Sequence, residues 1–405
     1  LVLFFKKERF LSFSGSRCLG FSSRAAAVLA VALVCGCEVA PTAPKPTPLV
    51  LEPASFADLP GWSADHISAL LPGFKRECRR LALLPADTDL GGQGLASTYG
   101  GQAGDWLAPC HAAADVLPGS DAAMRAFFAK RFTPYRIATP ALVTGYFEPE
   151  AEGSLHRGGV FQTPLLSRPT DLVQGPPPAG DPLGPPAIGR RVAGTLVPYW
   201  TRAEIEAGAA GAATHPLFWL RDPVDLFFLQ VQGSGRIRLP DGSVLRVTYD
   251  GRNGRAYTPI GRVLVAEHAL APEDVSMQSI RAWLAAHPDQ AKRVMDTNED
   301  FVFFRPLRHA DSDFGPPGAM GVDLTPGRSA AVDRHFVPLG VPLFIDTTDP
   351  VSHAPWQRLV LAQDLGTDIL GPARADIFLG SGFVAAQTAG LMRQTGTIFV
   401  LLPRP

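Results

Sequence analysis

Leu359-Val360-Leu361-Ala362 is an apolar, partly β-branched run that ends at the polar pair Gln363-Asp364. Residues 365–374 include two Gly, a Thr, an Asp and a Pro. Ala375-Asp376-Ile377-Phe378 then opens a second short run, closed by Gly380-Ser381-Gly382. Runs of this length between breakers spell strand, loop, strand, with a carboxylate at each junction. The same punctuation marks the whole chain. Its 39 Pro and 40 Gly in 405 residues favour short elements and β architecture over a helical bundle. Asp beside Gly is ordinary turn and cap chemistry. Carboxylates delivered together by strand ends are also what acid/base work at a sugar bond needs. Both readings stand on this stretch alone.

The length is enough for a sizeable core and fits two domains better than one. A formal charge of −1 gives no reason to bind nucleic acid. The first residues read as an export signal, not as fold. Lys6, Lys7, Arg9, Arg17 and Arg24 precede the apolar run 25–34, which is too short to span a membrane alone. Val34-Cys35-Gly36-Cys37 is similar to a bacterial lipobox with Cys37 lipidated, the alternative being a plain cleaved signal. An opening Leu1 in place of Met is read as a misassigned start. Removal up to Cys37 takes five basic side chains and Glu8, leaving a net charge of −5, so acyl chains and not charge would anchor the chain. Of the cysteines beyond Cys37, only Cys78 and Cys110 remain; in an exported protein they read as one disulfide, or else as two buried thiols. No CxxC or HExxH occurs and the nine His are scattered, so no metal site is expected.

Residues 39–53, rich in Pro, Ala and Thr, read as a tether. Apolar positions at spacings of three and four predict a helix over 63–83 with Ser63 as N-cap. Two more are expected over 108–117 and 120–132, so that Cys78 and Cys110 staple the first helix to the second. Leu142 to Pro149 reads as a strand ending in a turn, and 169–191 as a surface loop. Trp219 to Leu239 reads as strand material, including Phe227-Phe228-Leu229-Gln230-Val231-Gln232. Pro240-Asp241-Gly242-Ser243 is the hairpin turn before a returning strand, 244–249. A helix over 276–287 follows, then strands over 300–305, 338–346 and 397–402.

Gly233-Ser234-Gly235 lacks the signature of a nucleotide loop or a nucleophile elbow and is read as a bulge, strand end or ligand contact. Gln230 and Gln232 share a strand face in this reading, with Gln232 able to bond a sugar hydroxyl. Tyr146, Trp200, Trp219 and Tyr257 are stacking candidates, although strand aromatics more often fill cores. Glu148 is a possible second carboxylate or an exposed turn residue. The acid candidates of the closing third are Asp323, Asp333, Asp346, Asp364, Asp368 and Asp376. Apolar neighbours favour a raised carboxyl at Asp376, with Asp364 as its natural partner.

From about Phe132 to Pro403 the chain resembles the membrane-bound lytic murein transglycosylase A family. The matching pieces are Thr144-Gly145-Tyr146-Phe147-Glu148-Pro149, the run from Phe227 to Gly235, Tyr249-x-Gly251-x-Asn253-Gly254, Tyr257-x-x-Ile260-Gly261, the helix that Ser276-Met277-Gln278 opens, and Asn298-x-x-x-Val302-Phe303-Phe304. The closing pieces resemble the domain named for three aspartates: Arg328-Ser329-x-Ala331-Val332-Asp333, Pro338-Leu339-Gly340, Ala362-Gln363-Asp364 and Ala375-Asp376-Ile377-Phe378.

The resemblance implies a mainly β fold with a helical N-terminal scaffold. A double-psi β-barrel carries a second, inserted β-barrel, with a glycan strand in the groove between them. The expected division is a signal with lipobox (1–36), a tether (37–56), a helical part of domain 1 (57–139), an inserted barrel (140–300) and the double-psi part (301–405). The implied reaction cleaves the β-1,4 bond between N-acetylmuramic acid and N-acetylglucosamine in peptidoglycan. The C6 hydroxyl attacks its own C1 and leaves a 1,6-anhydro ring. No cofactor is implied, and one carboxyl can act as acid and then base. Carried over by motif, Asp376 is that group and Asp364 and Asp333 support it, while Tyr146, Gln232, Gly233, Ser234 and Asn253 line the groove. The implied protein is a monomer on peptidoglycan strands, lipid-anchored at the periplasmic face of the cell envelope, in the outer membrane.

One loop departs from the family pattern D-T-G-G-A-I-K-G. This chain writes Asp364-Leu365-Gly366-Thr367-Asp368-Ile369-Leu370-Gly371, which loses the Lys and adds Asp368. Retained activity with altered substrate affinity is expected, with Asp368 raising the carboxyl of Asp376 if it lies within ~6 Å. The rival readings are a hydrolase on the same barrel, with a second aspartate as base, and a non-catalytic murein-binding lipoprotein.

Overall fold

The computed structural model describes residues 47–177, 179, 183, 186–307 and 314–404. The expected signal, the lipidated Cys37 and the first part of the tether lie outside them. In chain order the strands are β1 (Leu51–Pro53), β2 (Phe132–Ile137), β3 (Ala141–Glu148), β4 (Glu150–Ser154), β5 (Thr163–Leu166), β6 (Val173–Gln174), β7 (Ile188–Val192), β8 (Thr195–Pro198) and β9 (Pro216–Leu220). They continue with β10 (Ser234–Arg238), β11 (Val244–Arg252), β12 (Val302–Pro306), β13 (Ser329–Val332), β14 (Pro342–Thr348), β15 (Pro355–Leu365), β16 (Arg374–Ser381) and β17 (Arg393–Pro403). The helices are α1 (Leu71–Leu81), α2 (Leu95–Thr98), α3 (Leu107–Ala114), α4 (Asp121–Arg131), α5 (Arg202–Glu206), α6 (Pro223–Gln232), α7 (Ile260–Ala266), α8 (Met277–Ala286), α9 (Pro288–Asp296) and α10 (Gly382–Leu391).

Six strands close on themselves. The order β17-β14-β15-β13-β16-β3 returns to β17, because β3 pairs with β17 as well as with β16. Closure leaves no edge inside the ring, and β1 and β2 extend it outward from β17. A second sheet runs β12-β11-β10-β4-β9-β5, and a bridge from Ser167 to Phe304 brings its end strands together. The first barrel shares one core with the preceding helices, where Phe74, Trp106, Phe128 and Phe132 are fully buried. Burying a side chain of that size stabilises by about 1.5–3 kcal/mol. The Cys78–Cys110 disulfide ties α1 to α3.

The expected 140–300 span differs from the strand pairing at both ends. β3 lies within it yet is a stave of the first barrel, and β12 lies wholly beyond it while pairing with β11. The helix expected from Ser63 starts later: a 3-10 turn over Ile67–Leu70 precedes α1, and Pro72 sits in its first turn. Ser120 caps α4, its hydroxyl accepting from Ala123 N at 3.1 Å. The 169–191 region holds β6 and part of β7, which pair in a small sheet with β8.

The strand expected at Phe227 to Gln232 is a helix. Asp222 caps α6 by accepting from Val224 N at 2.8 Å, Pro223 opens it, and Gly233 ends it at φ +76. Five consecutive residues of α6, Leu226 to Gln230, are buried. A helix buried on most sides loses its 3.6-residue pattern, so its Leu-Gln-Val-Gln alternation imitated a strand. Gln230 and Gln232 therefore do not share a strand face. Gln230 accepts from the buried Arg202 and donates to Val302 O.

Candidate active site

Three strand ends gather the aspartates. β13 lies between β15 and β16, and its Ala331 is the register partner of both Asp364 and Asp376. The two carboxylates thus stand level on either side of a small residue. Two strand spacings put their backbones roughly 10 Å apart. An irregularity between Ala330 and Ala331 shifts the register there, the kind of bulge that re-aims side chains. Asp333 follows β13 directly.

Each carboxylate is held differently. Asp364 Oδ1 accepts from the backbone N–H groups of Ala319 and Leu365, both at 2.9 Å, and its Oδ2 accepts from the Tyr146 hydroxyl at 2.8 Å. Burial raises the Asp364 carboxyl, against the pull of those donors, and the neighbouring charge of Asp376 raises it further. Asp333 Oδ1 faces His335 Nδ1 at 2.7 Å, and its Oδ2 accepts from Gly371 N at 2.7 Å. It ties down the end of the loop that separates the other two. Asp376 is 6 % exposed, and its Oδ1 accepts from Thr144 Oγ1 at 2.5 Å. Among the described residues no hydrogen bond engages its Oδ2.

β3 supplies the partners. In strand geometry Thr144, Tyr146 and Glu148 lie on one face. Thr144 meets Asp376, Tyr146 meets Asp364, and Glu148 meets the second barrel. Burial, then the charges of Asp364 and Asp376, push the Tyr146 hydroxyl well above its ordinary value, so it stays a donor. Its ring packs on Phe378 at 5.3 Å. Glu148 is fully buried and not an exposed turn residue: Arg246 grips both its oxygens at 2.9 Å, and Arg236 reaches Oε2 at 3.0 Å.

The other expected groove residues fall in two groups. Gly233 has open space around the position of a side chain, and Gln232 beside it accepts from Phe147 N. Ser234 is 5 % exposed at the start of β10. Asn253 is fully buried. Its amide donates to Trp200 O and Glu299 O and accepts from Arg255 N and Phe301 N, so it orders the backbone and presents nothing to a groove. The Trp200 and Trp219 rings each carry a guanidinium, from Arg190 and Arg157. Burial raises the Tyr257 hydroxyl, with Asp368 and Asp300 adding to it. Asp346 accepts from Gln357 away from the cluster. In the unusual loop, Arg252 Nη1 of β11 donates to Thr367 Oγ1 at 3.0 Å, joining the barrels. Asp368 acts electrostatically on Tyr257 and Arg374.

Sequence reasoning missed Thr144 and Arg374. Arg374 Nη2 donates to Thr144 Oγ1 at 2.8 Å. Two-residue spacing from Tyr146 and from Asp376 was the available signal, since it places each on the face of its strand that bears the site.

Fold and site define a two-barrel protein with an aspartate cluster at the strand ends of one barrel. Residues 142–305 match the family described as MltA specific insert domain, and residues 328–402 match the 3D domain. A crystal structure of a membrane-bound lytic murein transglycosylase from Agrobacterium tumefaciens is 35 % identical with a TM-score of 0.78, over 87 % of this chain and 98 % of that one. Escherichia coli MltA with bound chitohexaose is 26 % identical with a TM-score of 0.63, over 89 % and 95 %. The membrane-bound lytic murein transglycosylase A of Escherichia coli K12 is 34 % identical over 270 residues, 65 % of this chain and 66 % of that protein. The chain thus matches just under two thirds of that relative's length. The chain belongs to the membrane-bound lytic murein transglycosylase A family. Among its described residues no helix is long and apolar enough to cross a membrane.

Proposed function

We propose that this chain is a lytic transglycosylase that cleaves the β-1,4 bond between N-acetylmuramic acid and N-acetylglucosamine in peptidoglycan, leaving a 1,6-anhydro product. The observation that carries the reading is the occupancy of the carboxylates. Both oxygens of Asp364 and both of Asp333 accept hydrogen bonds, while Asp376 keeps Oδ2 unengaged among the described residues. One reactive carboxyl suits a reaction whose nucleophile is the substrate's own C6 hydroxyl. A hydrolase needs a second group to activate water. Intramolecular attack gains from proximity. The chitohexaose bound to the Escherichia coli relative supports a β-1,4 glycan in the groove.

Asp376 is the acid and then the base, and Asp364 and Asp333 hold the strand ends around it. The closed ring with parallel β13–β15 and β3–β16 pairs supports a double-psi barrel with a helical N-terminal scaffold. Gln232, Gly233 and Ser234 form the insert's share of the groove. Cys37 carries the lipid anchor, and the protein works as a monomer at the periplasmic face of the outer membrane; the membrane-bound relatives support this placement.

The test is mass spectrometry of sugars released from purified peptidoglycan. The expected product is lighter than the hydrolysis product by one water, and Asp376→Asn abolishes its release. A water-containing product makes the chain a hydrolase, and full release by Asp376→Asn removes Asp376 from the chemistry.

A further inference from the structure

We propose that Thr144 is a positioning residue, itself locked by Arg374, that fixes the working proton of Asp376 on Oδ2. The inference rests on Asp376 as the acid/base. A guanidinium has donors only. Arg374 Nη2 therefore fills a lone pair of Thr144 Oγ1 at 2.8 Å, and the hydroxyl must send its own proton elsewhere. The acceptor in line is Asp376 Oδ1 at 2.5 Å. Thr144 is fully buried and Arg374 is 6 % exposed, so no bulk water competes for either. Arg374 cannot swing away, because its Nη1 donates to Leu142 O at 3.2 Å and Ala375 O at 2.7 Å. The parallel register of β3 and β16 builds the relay, pairing Leu142 with Arg374 and Thr144 with Asp376.

An oxygen that accepts a short hydrogen bond of fixed direction is a poor seat for the acid proton. That proton sits on Oδ2, and one atom then serves both halves of the reaction. Oδ2–H gives its proton to the glycosidic oxygen as the C1–O bond breaks and the bonding pair leaves with that oxygen. The C6 oxygen bonds to C1, and its proton passes to Oδ2. The carboxyl ends as it began, and no water is consumed.

The experiment measures anhydro-product release from peptidoglycan by wild type, Asp376→Asn, Thr144→Val and Thr144→Ser, with kcat and KM separated and each variant's thermal melt recorded. Thr144→Val is expected to lose about 10- to 100-fold in kcat with KM within about twofold, and Thr144→Ser to restore kcat. Should Thr144→Val not fold, Thr144→Ala removes the hydroxyl without placing a methyl where it stood and reads the same quantity. An unchanged kcat in the hydroxyl-free variant overturns the inference, as does a Ser variant as slow as it. A loss confined to KM overturns it too. An inactive wild type defeats the transglycosylase reading itself, a distinct result.

Discussion

The Tyr146 hydroxyl donates to Asp364 Oδ2 at 2.8 Å, a side-chain donor that engages the second oxygen of that strand-end carboxylate. Asp364 is held by three donors, whereas Asp376 is held by one. A general base needs a lone pair aimed at its proton, and three of the four lone-pair sites of Asp364 are taken up by the protein.

Tyr146→Phe frees Asp364 Oδ2 without moving the ring. The product should remain the anhydro sugar, with kcat lowered about tenfold or less through looser placement of the strand end. Mass spectrometry of the digest decides: water-containing product rising in this variant marks Asp364 as a latent base.

The loop between Asp364 and Gly371 lacks the family's Lys, and Leu370 in its place is 57 % exposed. The native chain should digest peptidoglycan, and restoring the family's residues from 365 to 370 should change KM more than kcat. Anhydro product from the restored variant alone would mean the native loop has lost catalysis.

Asp65 and Arg328 form a buried two-bond pair, at 2.9 and 2.7 Å, that fastens the segment before α1 to the start of β13. Asp65 Oδ2 also accepts from Leu359 N of β15. Asp65→Ala strands a buried guanidinium and should cost about 3–5 kcal/mol in urea denaturation. Arg328→Met with Asp65→Leu, which removes both charges, should recover much of that loss.

Glu77 of α1 is fully buried, with Gln363 Nε2 at 2.9 Å and, among the described residues, no ion pair. Burial raises its carboxyl well above the ordinary 4.5. A raised folded-state value means its contribution is complete below the unfolded value and is lost as pH rises through the folded one. Glu77→Gln should therefore melt near wild type around pH 4 and above it in alkaline buffer. Thermal melts across pH test this, and a constant gap between the two proteins contradicts it.

The strands at the end of the chain were legible because Gly and Pro bound them and their apolar runs are short. The loop-separated pair Asp364 and Asp376 could be read from that pattern, and the family motif singled out Asp376. α6 was misread because burial on most sides erased its helical period, although Asp222, Pro223 and Gly233 spelled its caps. α10 was missed because it starts at Gly382, where the strand pattern had ended. Glu148 and Asn253 look like surface residues in sequence. Only tertiary pairing, two arginines for one and four backbone groups for the other, puts them inside. Thr144 and Arg374 carry no chemical signature of their own, and their role exists only through the register of two strands far apart in the chain.

β3 completes the ring of the first barrel and hands its last side chain, Glu148, to two arginines of the second. The match to the insert nevertheless begins at residue 142, within that strand. The insert is therefore not a detachable module. Excising residues 142–305 would open the ring and remove both Thr144 and Tyr146, so neither piece would carry a complete site. Any rearranged or shortened version of this protein has to keep the junction at Ala141–Glu148 intact, because the boundary between its two halves runs through the strand that holds both Asp364 and Asp376.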